Sequence, residues 1–315
     1  MAHRVLLTFD LPPEWIGELP GDVELIRRDP SSSPRQWLLD NVGSAEGILC
    51  SLADRIDEEI ISRGHALRVI STYSVGYDHI DVRAARSRGI RVGYTPEVLT
   101  ESTADLIFAL LLAVARRVAE GDRLVRSGGW RGPWSPTFML GSDVHGKTLG
   151  IVGMGRIGRA VARRAKGFDM RVLYYSRRPK PDVDAEYVQL DRLLAESDFV
   201  VLTVDLNPST YHMVDYGFLS RMKRGSFLIN ASRGKVVKEE DLVRALREGL
   251  IAGAALDVYE DEPIGPGNPL ARMDNVVLTP HIGSATVETR RRMAEVAVEN
   301  LLRGLRGEPL LYEVP

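Results

Sequence analysis

Three short stretches carry side chains that could do chemistry together. Arg233 lies in Phe227-Leu-Ile-Asn-Ala-Ser-Arg233-Gly234, Glu262 in Ala255-Leu-Asp257-Val-Tyr-Glu-Asp-Glu262-Pro263, and His281 in Val277-Leu-Thr-Pro-His281-Ile-Gly283-Ser284. A histidine beside a glutamate makes an acid–base pair able to pass a proton near neutral pH. An arginine fork clamps a carboxylate through charge-assisted hydrogen bonds. Taken singly, each stretch is ambiguous: a lone histidine is commonly structural, Arg-Gly commonly a turn, and Glu-Pro commonly a loop. Each follows a strand-like run, however, and in a doubly wound sheet ligands bind beyond the carboxyl ends of the strands.

A fourth stretch points to a ligand. Ile151-Val-Gly153-Met-Gly155-Arg-Ile-Gly158 joins a strand pattern to a helix pattern. In such a turn Gly153 permits the sharp bend, Gly155 lets the backbone approach a pyrophosphate, and Gly158 allows close helix–strand packing. The helix N-terminus adds free N–H groups and a partial positive charge. Gly153, Met154, Gly155, Arg156, Ile157 and Gly158 are therefore expected to hold a dinucleotide. The next strand ends in Tyr174-Tyr-Ser176-Arg177-Arg178, where a chain built for NAD normally places an acid on the ribose. Here a hydroxyl and two guanidinium groups stand instead, and the nearest downstream acid, Asp182, lies beyond Pro179 and Pro181. That set suits the 2′-phosphate of NADP, so NADPH is expected over NADH. The other reading leaves the arginines as solvated surface and the site indifferent to the phosphate.

The elements that must position these groups alternate along the chain. Strand patterns fall at 4–9, 23–26, 47–50, 68–71 and 91–93, with helical patterns such as 57–63 and 82–88 between them. One long helix is expected over 101–126, burying the face of Leu106, Leu110, Ala113, Val114 and Arg117. A second series has strands at 148–153, 170–176, 199–203, 226–230, 251–257 and 276–278, and helices including 156–166, 190–196 and 239–248. A final helix is expected over 285–305. Such alternation predicts an α/β chain of βαβ units with parallel sheets, divided near residue 100. A length of 315 residues suits two domains.

Composition narrows the partners. The formal net charge of −2 excludes a broadly basic nucleic-acid binder. Only six of the 41 basic residues are lysine, but acids interleave with the arginine doublets, as on solvated helix faces. The longest apolar run, 106–115, falls far short of the ~20 residues that cross a bilayer. Cys50, Met154 and the histidines at 3, 65, 79, 145 and 212 show no metal-ligand spacing, so no metal is expected. Cys50 reads as a buried thiol. With one cysteine and no secretory pattern at Met1-Ala-His-Arg, a cytoplasmic location is expected.

Several further segments fall in an order that resembles the D-isomer-specific 2-hydroxyacid dehydrogenase family, and within it the NADP-using glyoxylate/hydroxypyruvate reductases. They are Ser74-Val-Gly-Tyr-Asp-His-Ile-Asp81, Thr95-Pro-Glu-Val-Leu-Thr100, His145-Gly-Lys-Thr-Leu-Gly-Ile-Val-Gly153, Tyr174-Tyr-Ser-Arg177, Asn230-Ala-Ser-Arg-Gly-Lys-Val-Val237 and Thr279-Pro-His-Ile-Gly-Ser284. The resemblance implies two doubly wound Rossmann-like domains with an active-site cleft between them. A substrate-binding domain would comprise 1–100 plus 285–315, and a dinucleotide-binding domain 101–284. His281 would protonate the carbonyl oxygen as hydride arrives, and Glu262 would hydrogen-bond it and keep it protonated. Arg233 would bind the substrate carboxylate, with backbone N–H groups of Val75 and Gly76 on its other side. Thr103, Ala231, Ser232, Arg233, Asp257, His281 and Gly283 would line the cofactor.

The same resemblance implies a homodimer acting on glyoxylate and hydroxypyruvate, with no nucleic-acid or membrane partner. It leaves two other readings: a D-lactate, D-3-phosphoglycerate or phosphite dehydrogenase, or a dinucleotide-sensing corepressor-like binding protein. Two departures stand out. Asp205-Leu206 replaces the usual Pro-Leu, either adding charge near the pyrophosphate or facing solvent, and solvent is favoured. Tyr94-Thr95-Pro96 replaces Asn-Thr-Pro. The segment Trp130-Arg-Gly-Pro-Trp134-Ser-Pro-Thr-Phe138 matches a region at the family's dimer interface. Trp134 and Phe138 would either pack in the dimer core or reach the partner's active site.

Overall fold

The computed structural model describes residues 2–315. The chain forms two compact units, Met1–Leu99 with Ser284–Pro315, and Thr100–Gly283. The first holds strands β1 (His3–Leu7), β2 (Val23–Arg27), β3 (Gly47–Cys50), β4 (Val69–Thr72) and β5 (Arg91–Gly93). They pair in parallel in the order β2-β1-β3-β4-β5. Alternate strand residues feed opposite cores. Leu6, Ile48, Cys50, Ile70 and Val92 pack on one face, while Val5, Leu7, Leu49 and Val69 meet the closing helix Val287–Arg306 on the other. Burial on both faces is what makes these strands continuous apolar runs. The closing helix starts two residues later than its pattern suggests, because Thr286 caps it by accepting the N–H of Thr289 at 3.1 Å.

The second unit holds β6 (Thr148–Val152), β7 (Arg171–Tyr175), β8 (Glu186–Tyr187), β9 (Phe199–Leu202), β10 (Phe227–Asn230), β11 (Gly253–Leu256) and β12 (Val276–Leu278). All pair in parallel, in the order β12-β11-β10-β9-β6-β7-β8. Strand order therefore reverses between β6 and β9, the crevice at which such sheets bind ligands. The short β8 carries no readable strand pattern: two residues are too few for any periodicity.

The expected single helix over 101–126 is two helices, Thr100–Ala115 and Val118–Arg126. Arg117 adopts a left-handed backbone (φ 55°) and breaks the run. The carbonyl of Ala115 accepts the N–H of Ser142 at 2.8 Å instead. The returning chain presses so close that a Cβ on Gly141 would stand 2.5 Å from that carbonyl oxygen. Arg117 in turn pairs with Glu120 at 2.7 Å. The buried stripe of the first helix also differs: Ala104, Ile107, Phe108, Leu111 and Ala115 join the expected Leu110 and Val114, while Leu106, Ala113 and Arg117 are half-buried. That helix packs against both the sheet and the helix Arg156–Ala165, so apolar residues surround most of it and its period misleads.

Candidate active site

The dinucleotide turn follows β6 at the reversal of strand order. Gly153 has φ 102°, and a Cβ there would lie 2.5 Å from the carbonyl oxygen of Thr203, just past β9. The Thr203 hydroxyl donates to the Gly153 carbonyl at 2.5 Å, tying the two strand ends together. A Cβ on Gly158 would lie 2.3 Å from that same Gly153 carbonyl, so helix and turn touch backbone to backbone. Around Gly155, by contrast, nothing lies within 4 Å of where a Cβ would stand. Gly155 caps the helix Arg156–Ala165 without a side-chain hydrogen bond, which leaves leading N–H groups for an anion. Tight packing at 153 and 158 with open space at 155 is the shape a pyrophosphate requires. Met154 buries its side chain among Ile151, Ala160 and Val161, so only its backbone faces outward; Ile157 packs half-buried on the same core, and Arg156 is exposed.

At the end of β7, Ser176 donates to the carbonyl of Arg178 at 2.7 Å. Arg177 and Arg178 are exposed and make no salt bridge among the described residues. Asp182 is gripped by Arg159 at 2.7 and 3.0 Å, and those hydrogen bonds above all hold its carboxyl below the ordinary range. The one nearby acid is thus already paired. Asp205 is exposed, with only its backbone carbonyl engaged by Thr210 and Asn207.

Arg233, Glu262 and His281 come together beyond the ends of β10, β11 and β12. His281 Nδ1 lies 2.7 Å from Glu262 Oε2, and the second carboxylate oxygen accepts the N–H of Tyr259 at 3.0 Å. The two side chains are 26% and 30% exposed, enough to meet a ligand while shedding part of their water. Burial works against the Glu262 charge. The bond and charge of His281, the Tyr259 amide and the Arg233 charge outweigh it and hold the carboxyl below its ordinary value. His281 itself sits at φ 53°, a conformation uncommon for a side-chain-bearing residue and held here by its surroundings.

The loop bearing His281 hangs from Asp257. That carboxylate, 1% exposed, accepts from Thr279 Oγ1 at 2.6 Å and from the N–H groups of Ile282 and Gly283 at 2.8 Å each. Burial raises its pKa, against the opposing pull of those donors and of His281. A Cβ on Gly283 would fall 3.5 Å from Thr103, so Thr103, Asp257 and Gly283 share one wall. On β10's side, buried Asn230 fixes the next three residues. Its Oδ1 accepts from the N–H and hydroxyl of Ser232, and its Nδ2 donates to the Arg233 carbonyl at 3.0 Å. Ala231, Ser232 and Arg233 are half-buried along this rim.

In the other unit, Val75 and Gly76 form a turn after β4. The Ser74 hydroxyl donates to the Gly76 carbonyl at 2.6 Å and meets Thr72 Oγ1 at 2.7 Å, which in turn lies 3.0 Å from His79 Nε2. Cys50 is fully buried, and burial pushes its thiol far up, which removes it as a nucleophile. Among the described residues no three His, Cys, Asp or Glu side chains gather as metal ligands, and no helix is long and apolar enough to cross a membrane.

Residues 108–283 match the family model of the D-isomer specific 2-hydroxyacid dehydrogenase, NAD binding domain. The chain belongs to this family. Glyoxylate reductase of Korarchaeum cryptofilum is 51% identical, covering 98% of this chain and 94% of that protein. The crystal structure of the TT0316 protein from Thermus thermophilus superimposes with a TM-score of 0.92 at 50% identity, over 99% of this chain and 100% of that one. NADPH-dependent glyoxylate/hydroxypyruvate reductase from Sinorhizobium meliloti, in complex with NADP and malonate, gives 0.88 at 33% identity over 100% and 97%. The dehydrogenase is thus an oxidoreductase that works with a nicotinamide dinucleotide.

Three residues beside the candidate site escape a reading for chemistry because they act through backbone hydrogen bonds or close packing. Asn230 ends a buried strand, and a polar residue there is the one signal available. Tyr259 buries its ring and donates to the carbonyls of Leu256 (3.2 Å) and Thr279 (2.8 Å). Gly234 is the most confined glycine: a Cβ would come within 1.7 Å of the Tyr259 carbonyl oxygen. The loops carrying Arg233 and Glu262 are pressed together there.

Proposed function

We propose that the enzyme reduces small 2-oxoacids, glyoxylate to glycolate and hydroxypyruvate to D-glycerate, with NADPH as the preferred cofactor. The observation that carries this reading is the 2.7 Å bond between His281 and Glu262, with the Arg233 charge felt at Glu262. When bound, the reduced nicotinamide supplies a hydride to the carbonyl carbon. His281, with Nδ1 committed to Glu262, has Nε2 left to give a proton to the carbonyl oxygen. The ionised Glu262 stabilises the imidazolium that the reductive direction requires. Arg233 binds the substrate carboxylate, whose other side is assigned to the N–H groups of Val75 and Gly76 in the substrate-binding unit. Asp257 fixes the His281 loop, so the proton is delivered from one place.

Preference for NADPH rests on Ser176, Arg177 and Arg178 at the end of β7, with no free carboxylate opposing a 2′-phosphate. The S. meliloti reductase, named as NADPH-dependent, supports the same direction. A homodimer is proposed through the helix Val118–Arg126, which buries none of its residues, and the following segment, where Trp134 is 80% exposed.

The test is a spectrophotometric panel of NADPH or NADH against glyoxylate, hydroxypyruvate, pyruvate and phenylpyruvate, with phosphite tried against the oxidised cofactors. The highest kcat/KM is expected for NADPH with glyoxylate or hydroxypyruvate. A higher value with NADH refutes the cofactor preference, and turnover confined to phosphite or phenylpyruvate refutes the substrate class.

A further inference from the structure

His212 lies outside the catalytic set, between β9 and the helix Tyr216–Arg221, yet it touches both loops that carry the set. Its backbone, left-handed at φ 51°, donates to the carbonyl of Lys235 at 2.8 Å, two residues past Arg233. Val214 extends that seam by donating to the Val236 carbonyl at 3.0 Å and accepting the N–H of Lys238 at 3.0 Å. The His212 ring then reaches the other way. Nε2 lies 2.5 Å from Glu260 Oε1, two residues before Glu262, with both side chains 28% exposed. Tyr211 stacks on the ring at 4.0 Å between centroids.

Glu260 is pinned from a second direction. Its N–H donates to Glu239 Oε1 at 2.7 Å, and Glu239 Oε2 accepts from Asn268 at 2.8 Å. The charged groups around the pair are thus Glu239 on the Glu260 side and, along the same loop, Glu262 with its partners His281 and Arg233. No lysine or arginine forms a salt bridge with Glu260 among the described residues. Glu260 Oε1 is buried without an aligned hydrogen-bond donor, and the His212 ring nitrogen is what lies against it.

We infer that His212 is a positioning residue for the proton transfer: it ties the Arg233 loop by its backbone and the Glu262 loop by its ring, and so keeps Glu262 within reach of His281. This rests on the proposed role of His281 as proton donor. Loss of the His212–Glu260 contact leaves a buried carboxylate oxygen without its ring partner, and the loop relaxes to hydrate it. Glu262 then holds the imidazolium less firmly, and the reductive rate falls away at a lower pH.

Asparagine at 212 is the informative substitution, because it tolerates the left-handed backbone and keeps the N–H bond to Lys235 but is too short to reach Glu260. The experiment measures kcat for glyoxylate reduction against pH, at saturating NADPH, for the wild type, His212→Asn, His212→Gln and Glu260→Gln, with the melting temperature of each. His212→Asn and Glu260→Gln are expected to lose about threefold to tenfold in kcat at neutral pH, with KM for NADPH unchanged. Their alkaline limbs are expected to move down by about half a pH unit, while His212→Gln, which can still reach Glu260, recovers part of the loss. An alkaline limb at the wild-type position in both variants overturns the inference, whether kcat is unchanged or falls together with the melting temperature. A wild type with no alkaline limb removes the proton-donor role of His281 instead, and the brace with it.

Discussion

At His281 the backbone is as informative as the ring. A φ of 53° costs a β-carbon-bearing residue energy unless neighbours hold it, and the holders are the Asp257 carbonyl, which accepts its N–H at 2.9 Å, and the Asp257 carboxylate on the next two N–H groups. The Glu262 partner has a testable signature. Its folded-state carboxyl sits below the ordinary value, so its contribution to stability is present above the ordinary carboxylate pKa and is lost as pH falls through the lowered one. The difference in melting temperature between the wild type and Glu262→Gln should therefore be largest above about pH 5 and close toward about pH 3. A difference independent of pH would show that the carboxylate is not stabilised by its ionic partners. That Arg233, Glu262 and His281 gather at one place was legible in the sequence, because strand ends collect ligands in this architecture. Asn230 and Tyr259 were not, since hydrogen bonds to backbone carbonyls and amides leave no spacing to read.

At the scale of elements, strands were legible where both faces are buried and β-branched runs are unbroken, as in β3, β9 and β10. The helix over 101–126 was misread because nothing in Arg116-Arg117 announces a left-handed residue: the break is imposed by the chain returning at Gly141 and Ser142, a tertiary cause. The junction of two loops at Gly234 is the element-scale counterpart. With a Cβ only 1.7 Å from the Tyr259 carbonyl oxygen, Gly234→Ala forces backbone to move, and backbone cannot yield as a side chain does. It should lose about 1–3 kcal/mol in denaturant unfolding and lower kcat for glyoxylate more than it lowers NADPH affinity. Wild-type stability and kcat in that variant would mean that the two loops are not in register through this contact.

For the whole molecule, the sequence conveyed two parallel-sheet units, and the resemblance pointed to the segment from Trp130 to Phe138 as the proposed dimer surface. The exposed apolar residues Val118, Val125, Trp130, Trp134, Phe138 and Leu140 cluster on one helix and the segment after it, more than a solvent-facing surface ordinarily carries. Light scattering should give twice the chain mass, and Val125→Asp with Trp134→Glu should halve it; a monomeric wild type would assign that surface to another partner. The catalytic proposal itself is tested most directly at His281. Asparagine there tolerates the left-handed backbone but cannot serve as the acid. The measurement is kcat for glyoxylate reduction by His281→Asn, with NADPH binding titrated on the same preparation. The expected result is a loss of about 10²–10⁴-fold in kcat with the NADPH dissociation constant nearly unchanged; near-wild-type turnover in a variant that still binds NADPH would contradict it.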